Sequence, residues 1–233
     1  LDKLMARTYK PVGMEAERKG DRTRRRLLEA AFDVISRKGF QSAGLGEILT
    51  LTGLTKGALY HHFGDKTALG YAVLDEIVGE IIEKRWIAPL GAEGDPLMII
   101  PEAMRTAAGN MKDRDIQLGC PLGNLAAEMS ALDAGFAQRI DAIYQKWRDA
   151  LSALLIAAEN VSDDDSERIA TFIVAALSGC LAQAKSTARR EVLLDGIVEL
   201  SFCIEQLGTE SPQEPQPQYV QSSSTGEIED YLL

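Results

Sequence analysis

The sequence predicts an all-α protein with about nine helices, arranged as an N-terminal three-helix helix-turn-helix unit followed by a larger helical domain. Apolar residues recur three and four positions apart along most of the 233-residue chain, and no alternating strand pattern is present. Ala, Leu, Glu and Ile are abundant, whereas only 8 residues are Pro. Helix start and stop signals bracket three short helices first and longer ones afterwards.

The helices follow from their periodicity and from the residues that punctuate them. Gly39 ends the first helix and Gly53 the second, while Thr55, Asp65 and Ser162 are predicted N-caps. The predicted helices cover 22–38, 45–52, 55–62, 65–86, 95–112, 120–131, 133–160, 162–186 and 190–207.

Composition divides the chain into four parts. Residues 1–20 are polar and predict a flexible basic arm, and residues 21–66 hold the helix-turn-helix unit. Residues 67–208 form the larger helical domain. Residues 209–233 are rich in Pro, Gln and Ser and have little to bury, so we expect them to be disordered.

Charge is unevenly distributed. The net charge is −10, yet residues 1–70 hold 13 Lys+Arg and 8 Asp+Glu, a balance of +5. Residues 71–233 hold 12 Lys+Arg and 27 Asp+Glu, a balance of −15. A basic N-terminal block on an acidic body indicates that one end meets a polyanion.

Three Cys far apart in the sequence argue against a disulfide framework. The N-terminus has no apolar signal segment, and no apolar run approaches the roughly 20 residues that cross a bilayer. We therefore expect a cytoplasmic protein without a membrane partner.

The stretch "GLTKGALYHHF", residues 53–63, is the most informative motif. Two short helices joined by a tight Gly turn make a helix-turn-helix, whose second helix must be slim to enter a major groove. Gly57 costs about 1 kcal/mol against Ala in a helix, which fits a position where a phosphate backbone approaches. The inward side is predicted to be Leu54, Ala58, Leu59 and Phe63, packing on Ile48, Leu51 and Phe32.

Residues 22–70 resemble the DNA-binding domain of TetR-family transcriptional regulators. The matching marks are Ala-Ala-Phe and Lys-Gly-Phe in the first helix, "GLTKGALYHHF", and the acid–Lys pair that opens the fourth helix. The resemblance implies a double-stranded DNA operator. By it, the DNA-binding residues are base-edge readers Lys56 and His61, groove-floor residues Thr55 and Gly57, phosphate contacts Tyr60 and Lys66, and sequence-independent Arg24 and Arg25.

Two points at this site stay open. In the alternative interpretation, Tyr60 and His62 have a structural role and pack at the junction with the fourth helix. Ala43 and Gly44 stand where the family usually has Thr or Ser, so either each monomer binds DNA more weakly or Ser42 takes the cap of the second helix.

The family dimerises through its last two helices, which implies a homodimer here. A stripe of apolar residues spaced three and four apart marks the last helix, and small residues in the preceding helix allow close approach. The predicted interface is Leu193, Ile197, Leu200 and Ile204 with Ala176 and Gly179. The alternative is that this stripe packs in the core of a single chain, which would use the same residues.

The resemblance also implies a small-molecule effector pocket among the middle helices. In "LGCPLGNLAAEM", residues 118–129, Pro121 suits a first helical turn, so Cys120 is the predicted N-cap and its thiol pKa is expected to be lowered. Asn124 shares its face, and Glu128 follows one turn later. The segment resembles the ligand-domain pattern of a TetR subgroup whose members include sensors of reactive electrophiles and unsaturated small acids. The alternative is a small, inert, buried Cys120. Further pocket candidates are Trp86, Met104, Met111, Tyr144 and Trp147.

An enzyme is disfavoured. The only two His, His61 and His62, lie in the reading helix, and no nucleophile motif, phosphate loop, metal site or cofactor motif is present.

A DNA-binding architectural protein without effector remains an alternative, although it would not need about 140 residues of acidic helical domain. We predict a ligand-responsive repressor that binds a palindromic operator as a dimer. A small molecule or modification of Cys120 would release it by tilting the fourth helix.

Overall fold

The structure is a computed structural model that describes residues 19–158 and 161–207. The predictions for the arm at 1–20 and the tail at 209–233 lie outside these residues, except that 19 and 20 begin the first helix. The helices are α1 (Lys19–Lys38), α2 (Leu45–Thr52), α3 (Lys56–His62), α4 (Lys66–Val73), α5 (Gly79–Ile82), α6 (Pro96–Gly109), α7 (Asp113–Leu118), α8 (Pro121–Met129), α9 (Ala134–Ile156), α10 (Asp163–Thr187) and α11 (Arg190–Gln206).

The fourth predicted helix is a rod spanning 66–87. Two π-helical turns, Leu74–Val78 and Glu83–Ile87, alternate with α4 and α5, and the residues that join them keep right-handed helical backbone angles. A 3-10 turn, Ala88–Gly91, follows the rod. The all-α prediction is confirmed over the described residues. The short α7 was not predicted, because a single turn and a half with one buried residue has no measurable apolar period.

The predicted caps explain where the short helices begin. Thr55 Oγ1 accepts a hydrogen bond from the Ala58 amide at 3.2 Å, and Asp65 Oδ1 accepts one from the Ala68 amide at 2.7 Å. The N-cap of α2 is Gly44, which has no side-chain cap. The alternative in which Ser42 takes this cap is therefore wrong, and the start of α2 has no side-chain cap.

Helices α1, α2 and α3 pack as the head, around a core that includes Leu27, Leu28, Ile48, Leu59 and Phe63. The prediction that Leu51 belongs to this core is wrong. Its side chain is 55% exposed, because α2 turns Ile48 and not Leu51 toward α1 and α3.

The body is built from the rod and helices α6–α11, and α10 lies between α9 and α11. By length and composition alone, α10 is apolar enough to cross a membrane. Ile173, Val174, Leu177 and Leu181 are buried in the core of the body, which accounts for part of this apolarity.

The predicted dimer stripe of α11 faces inward, so this prediction is wrong for Leu193, Ile197, Leu200 and Ile204. Each is 5% exposed or less within a single chain, because this face of α11 packs against α6 and α10. A second apolar face of α11 carries Leu194, Val198 and Phe202 and is exposed.

Candidate nucleic-acid interface and head–body junction

The outer face of α3 presents polar groups to solvent. Thr55, Lys56, Gly57, Tyr60 and His61 are exposed, while Leu59 on the opposite side is fully buried. Helix α3 is seven residues long and is capped by Thr55, and its outer face lies at the surface of the head. His62 is half-buried, with its ring centroid 6.3 Å from that of Phe63.

Three basic residues predicted to bind DNA, the phosphate contact Lys66 and the sequence-independent Arg24 and Arg25, have partners inside the chain. Lys66 Nζ donates to the Gln41 carbonyl at 2.9 Å and lies 4.9 Å from the Phe40 ring centroid. Arg24 forms a two-fold ion pair with Glu76, and Arg25 pairs with Glu29 and Glu80. Arg25–Glu29 lies within α1, whereas the contacts of Lys66 with Gln41, Arg24 with Glu76 and Arg25 with Glu80 join the head to the rod. The Arg24 hydrogen bond lowers the pKa of Glu76.

A carboxylate of the body holds the first turn of the head. Glu128 Oε2 accepts a hydrogen bond from the Phe40 amide and Oε1 accepts one from the Gln41 amide, both at 2.8 Å. Gly39 has φ +81°, and a Cβ there would lie 2.8 Å from both carboxylate oxygens. Glycine is therefore favoured by the backbone conformation, and a larger residue would displace the Glu128 carboxylate. The sequence pattern placed Glu128 on the face of Cys120 and Asn124, but gave no sign of a partner 87 or 88 residues away.

Aromatic packing strengthens the same junction. The Phe136 ring lies 4.7 Å from Phe40 and 5.0 Å from Tyr71, centroid to centroid. Tyr71 donates its hydroxyl to Asp133 Oδ1 at 2.7 Å, which raises the pKa of Tyr71 and lowers that of Asp133. Asp133 Oδ1 also accepts from the Phe136 amide at 3.0 Å, so one carboxylate caps α9 and anchors the rod.

The predicted N-cap role of Cys120 is confirmed, because its Sγ accepts a hydrogen bond from the Gly123 amide at 3.5 Å. The predicted lowering of its pKa is wrong. Burial raises the pKa of the Cys120 thiol, and this desolvation outweighs the backbone amides of Gly123 and Leu122. Tyr144 is half-buried beside it, and burial followed by the proximity of Cys120 raises the pKa of the Tyr144 phenol.

Four other effector candidates are core residues. The rings of Trp86 and Trp147 stack at 5.5 Å with 25° between their planes, and both are buried, as are Met104 and Met111. Asn124 differs, since its Nδ2 donates to the Leu118 carbonyl at 2.8 Å and its Oδ1 accepts from Lys185 Nζ at 2.9 Å.

Among the cavities at the surface of the described residues, two are large enough for a small molecule. One, about 430 Å³, is a cleft between α1 and α8. The other, about 480 Å³, lies at the start of α6. Of the seven predicted effector residues, only Asn124 lines either cavity. The structure thus gathers Cys120, Asn124 and Tyr144 around the start of α8 and leaves the rest in the core.

Comparison with known proteins agrees with this architecture. Residues 27–73 match the model of bacterial regulatory proteins of the tetR family, and residues 96–196 match that of the LmrA/YxaF-like transcriptional regulator C-terminal domain. An HTH-type transcriptional regulator in the lacX 3′ region of Lactococcus lactis subsp. lactis is 27% identical over 187 residues, 80% of this chain and 95% of that protein. The transcriptional regulator AcuR of Cereibacter sphaeroides is 26% identical, over 72% of this chain and 78% of its own length.

A solved structure shares the fold at similar identity. The crystal structure of a TetR transcriptional regulator from Chloroflexus aurantiacus superposes with a TM-score of 0.70 at 25% identity, covering 81% of this chain and 96% of that one. The two matched domains lie in the same order as the head and the body. This chain belongs to the TetR family of transcriptional regulators.

Proposed function

We propose that this chain represses transcription by binding a palindromic DNA operator as a homodimer, and that a small-molecule effector releases it. The observation that carries the proposal is the outer face of α3, where Lys56, Tyr60 and His61 are exposed on a short helix whose other side is buried. Such a helix fits the major groove, in which a Lys can donate to guanine O6 and N7. The protein would act in the cytoplasm.

A homodimer is supported by an apolar surface on the two last helices. Phe172 on α10 and Leu194, Val198 and Phe202 on α11 are exposed in the single chain. Gly179 is exposed and Ala176 half-buried on the same helix as Phe172, so they remain proposed members of the interface. Two copies of this face would form a four-helix contact and set two α3 helices about one DNA turn (34–36 Å) apart.

Release by an effector is supported by the contacts between body and head. The rod starts at Lys66, which bonds the Gln41 carbonyl of the head, and Glu128 of α8 holds the turn after α1. A change at the start of α8, by ligand binding or by modification of Cys120, would therefore move the head. Coupling of this kind is typically about 1–3 kcal/mol.

The test is selection of operators from a pool of random double-stranded DNA, followed by binding measurements with Lys56→Ala. If Lys56 reads a base edge, the variant loses about 1–3 kcal/mol on the selected operator and relaxes preference at one base position. A uniform loss across sequences would make Lys56 a phosphate contact. No preference for any duplex at low salt would refute DNA recognition by this face.

A further inference from the structure

The cleft between α1 and α8 contains a positioned cation that lacks an anionic partner. Lys185 of α10 reaches into it with its ammonium 2.9 Å from Asn124 Oδ1. In the described part of the chain, no carboxylate lies within 4.0 Å of this ammonium. A lysine ammonium carries a full positive charge and three donor hydrogens. Because its side-chain partner here is a neutral amide, it can still bind an anion.

Two neighbouring residues, Gly119 and Asn124, fix the position of the Lys185 side chain. Gly119 has φ +71°, and a Cβ there would lie 2.8 Å from Lys185 Cδ, so the methylene stem packs directly over this glycine. Asn124 is itself held, because its Nδ2 donates to the Leu118 carbonyl at 2.8 Å. The Lys185 side chain is therefore exposed to solvent, but its contacts with Gly119 and Asn124 hold it in one orientation.

The remaining walls are mostly apolar, and their other charges are already satisfied. The rim cations Arg37 and Lys38 pair with Asp33 and Glu47, and the Glu128 carboxylate accepts two backbone amides. The apolar lining residues are Phe32, Ile35, Val78, Pro121, Leu125 and Ala127. A volume of about 430 Å³ is within the range of small-molecule sites.

We propose that the α1–α8 cleft binds a small organic monoanion, whose charged group pairs with Lys185 and whose apolar body lies against Phe32, Ile35 and Leu125. One unpaired cation matches one negative charge, and the nearby Glu128 carboxylate disfavours a dianion. The proposal rests on the proposed function, since it assigns a place and a chemical class to the effector. A ligand there would touch α1 of the head and α8 of the body beside the Glu128 contact.

The test is calorimetric titration of the full chain, without DNA, with benzoate, cyclohexanecarboxylate and hexanoate, each beside its neutral amide. We expect saturable binding of at least one acid, with its amide at least about tenfold weaker. Lys185→Met should remove this preference, and Lys185→Arg should keep it. Lys84→Met is the matched control, because Lys84 is an exposed lysine outside the cleft.

A second variant tests the place of binding independently of charge. Ala127 is an exposed lining residue, so Ala127→Trp should fill the cleft without disturbing the core and should abolish acid binding. The proposal is overturned if no acid binds, if acid and amide bind alike, or if Lys185→Met or Ala127→Trp binds unchanged. Operator selection is a separate measurement, so loss of DNA recognition would refute the proposed function and leave the cleft result intact.

Discussion

At the scale of single residues, Cys120 shows two local effects acting in opposite directions. A thiol at a helix N-terminus accepts backbone hydrogen bonds, which lower its pKa. The Cys120 side chain is also enclosed by the body, and desolvation of the thiolate raises its pKa more strongly. The protonated thiol is therefore the resting form near neutral pH, and reaction with an electrophile would require α8 to open.

This predicts a ranking of thiol reactivity. Cys203 is exposed, so iodoacetamide at pH 8 should alkylate it first, with Cys120 at least about tenfold slower. Peptide mass spectrometry over time gives both rates, and guanidinium-unfolded protein is the control in which they converge. Equal rates in the folded protein would contradict the assignment of a buried thiol.

The same residue allows a functional test. If Cys120 modification releases the operator, Cys120→Ser should retain DNA binding but lose release by an electrophile such as N-ethylmaleimide. Cys203→Ser should respond as the parent protein does. An unchanged response of Cys120→Ser would exclude thiol sensing at this position.

At the scale of elements, the turn between α1 and α2 is held from two sides. Glu128 of α8 binds the amides of Phe40 and Gln41, and Lys66 at the start of the rod binds the Gln41 carbonyl. The head is thus attached to two different parts of the body. In the proposed release mechanism, a displacement of α8 would reach the head through Glu128, in addition to any tilt of the rod.

We therefore predict that substitutions of Glu128 lower the free energy of unfolding by an amount that depends on how many acceptor oxygens are removed. Glu128→Ala leaves two amides without their acceptor and should lower the free energy of unfolding by about 1–3 kcal/mol. Glu128→Gln keeps one acceptor oxygen and should lose less. Hydrogen exchange at the Phe40 and Gln41 amides should accelerate in the same order. Unchanged protection in Glu128→Ala would show that the contact does not hold the turn.

The Arg24–Glu76 pair, which ties α1 to the rod, predicts a pH dependence. The Arg24 hydrogen bond lowers the pKa of Glu76 below the ordinary value of a glutamate in the folded state, so this pair stabilises the fold fully only above that ordinary pKa. The contribution is lost as pH falls through the lowered pKa. Because both side chains are over a third exposed, it should not exceed about 1 kcal/mol.

Urea unfolding of Glu76→Gln from pH 3 to 7 measures this contribution. The variant should be less stable than the parent near neutral pH and approach it at the acid end. Glu102→Gln, an exposed glutamate paired within α6, is the control. A difference that is constant across the pH range would mean that the pair does not titrate with folding.

At the scale of the whole molecule, the exposed face of α10 and α11 is the feature that a monomer does not explain. Val198 and Phe202 are each 59% exposed and Phe172 is 56% exposed, and α10 packs against α11, so these side chains fall on two neighbouring helices. Exposed large apolar side chains on two neighbouring helices are the reason we propose this face as the dimer interface.

The dimer proposal predicts a monomer in Val198→Glu. A charge buried between two apolar faces should raise the dimer dissociation constant by at least about a hundredfold, seen by sedimentation at micromolar concentration. Leu132→Glu is the matched control, because Leu132 is 61% exposed on the loop before α9, outside this face. A monomeric parent, or an unchanged dimer in Val198→Glu, would refute the interface.

Local sequence was sufficient for the helices other than α7 and for the helix-turn-helix head, because a helix and its caps depend on residues three and four apart. Thr55 and Asp65 therefore cap as predicted, and the "GLTKGALYHHF" motif leads to the TetR family. The choice between the two apolar faces of α11 needed the tertiary structure, since Leu193 and Leu194 are chemically alike and only packing against α6 and α10 distinguishes them. The same holds for the raised pKa of Cys120 and for the partners of Glu128, because burial and contacts between distant residues exist only after the chain has folded.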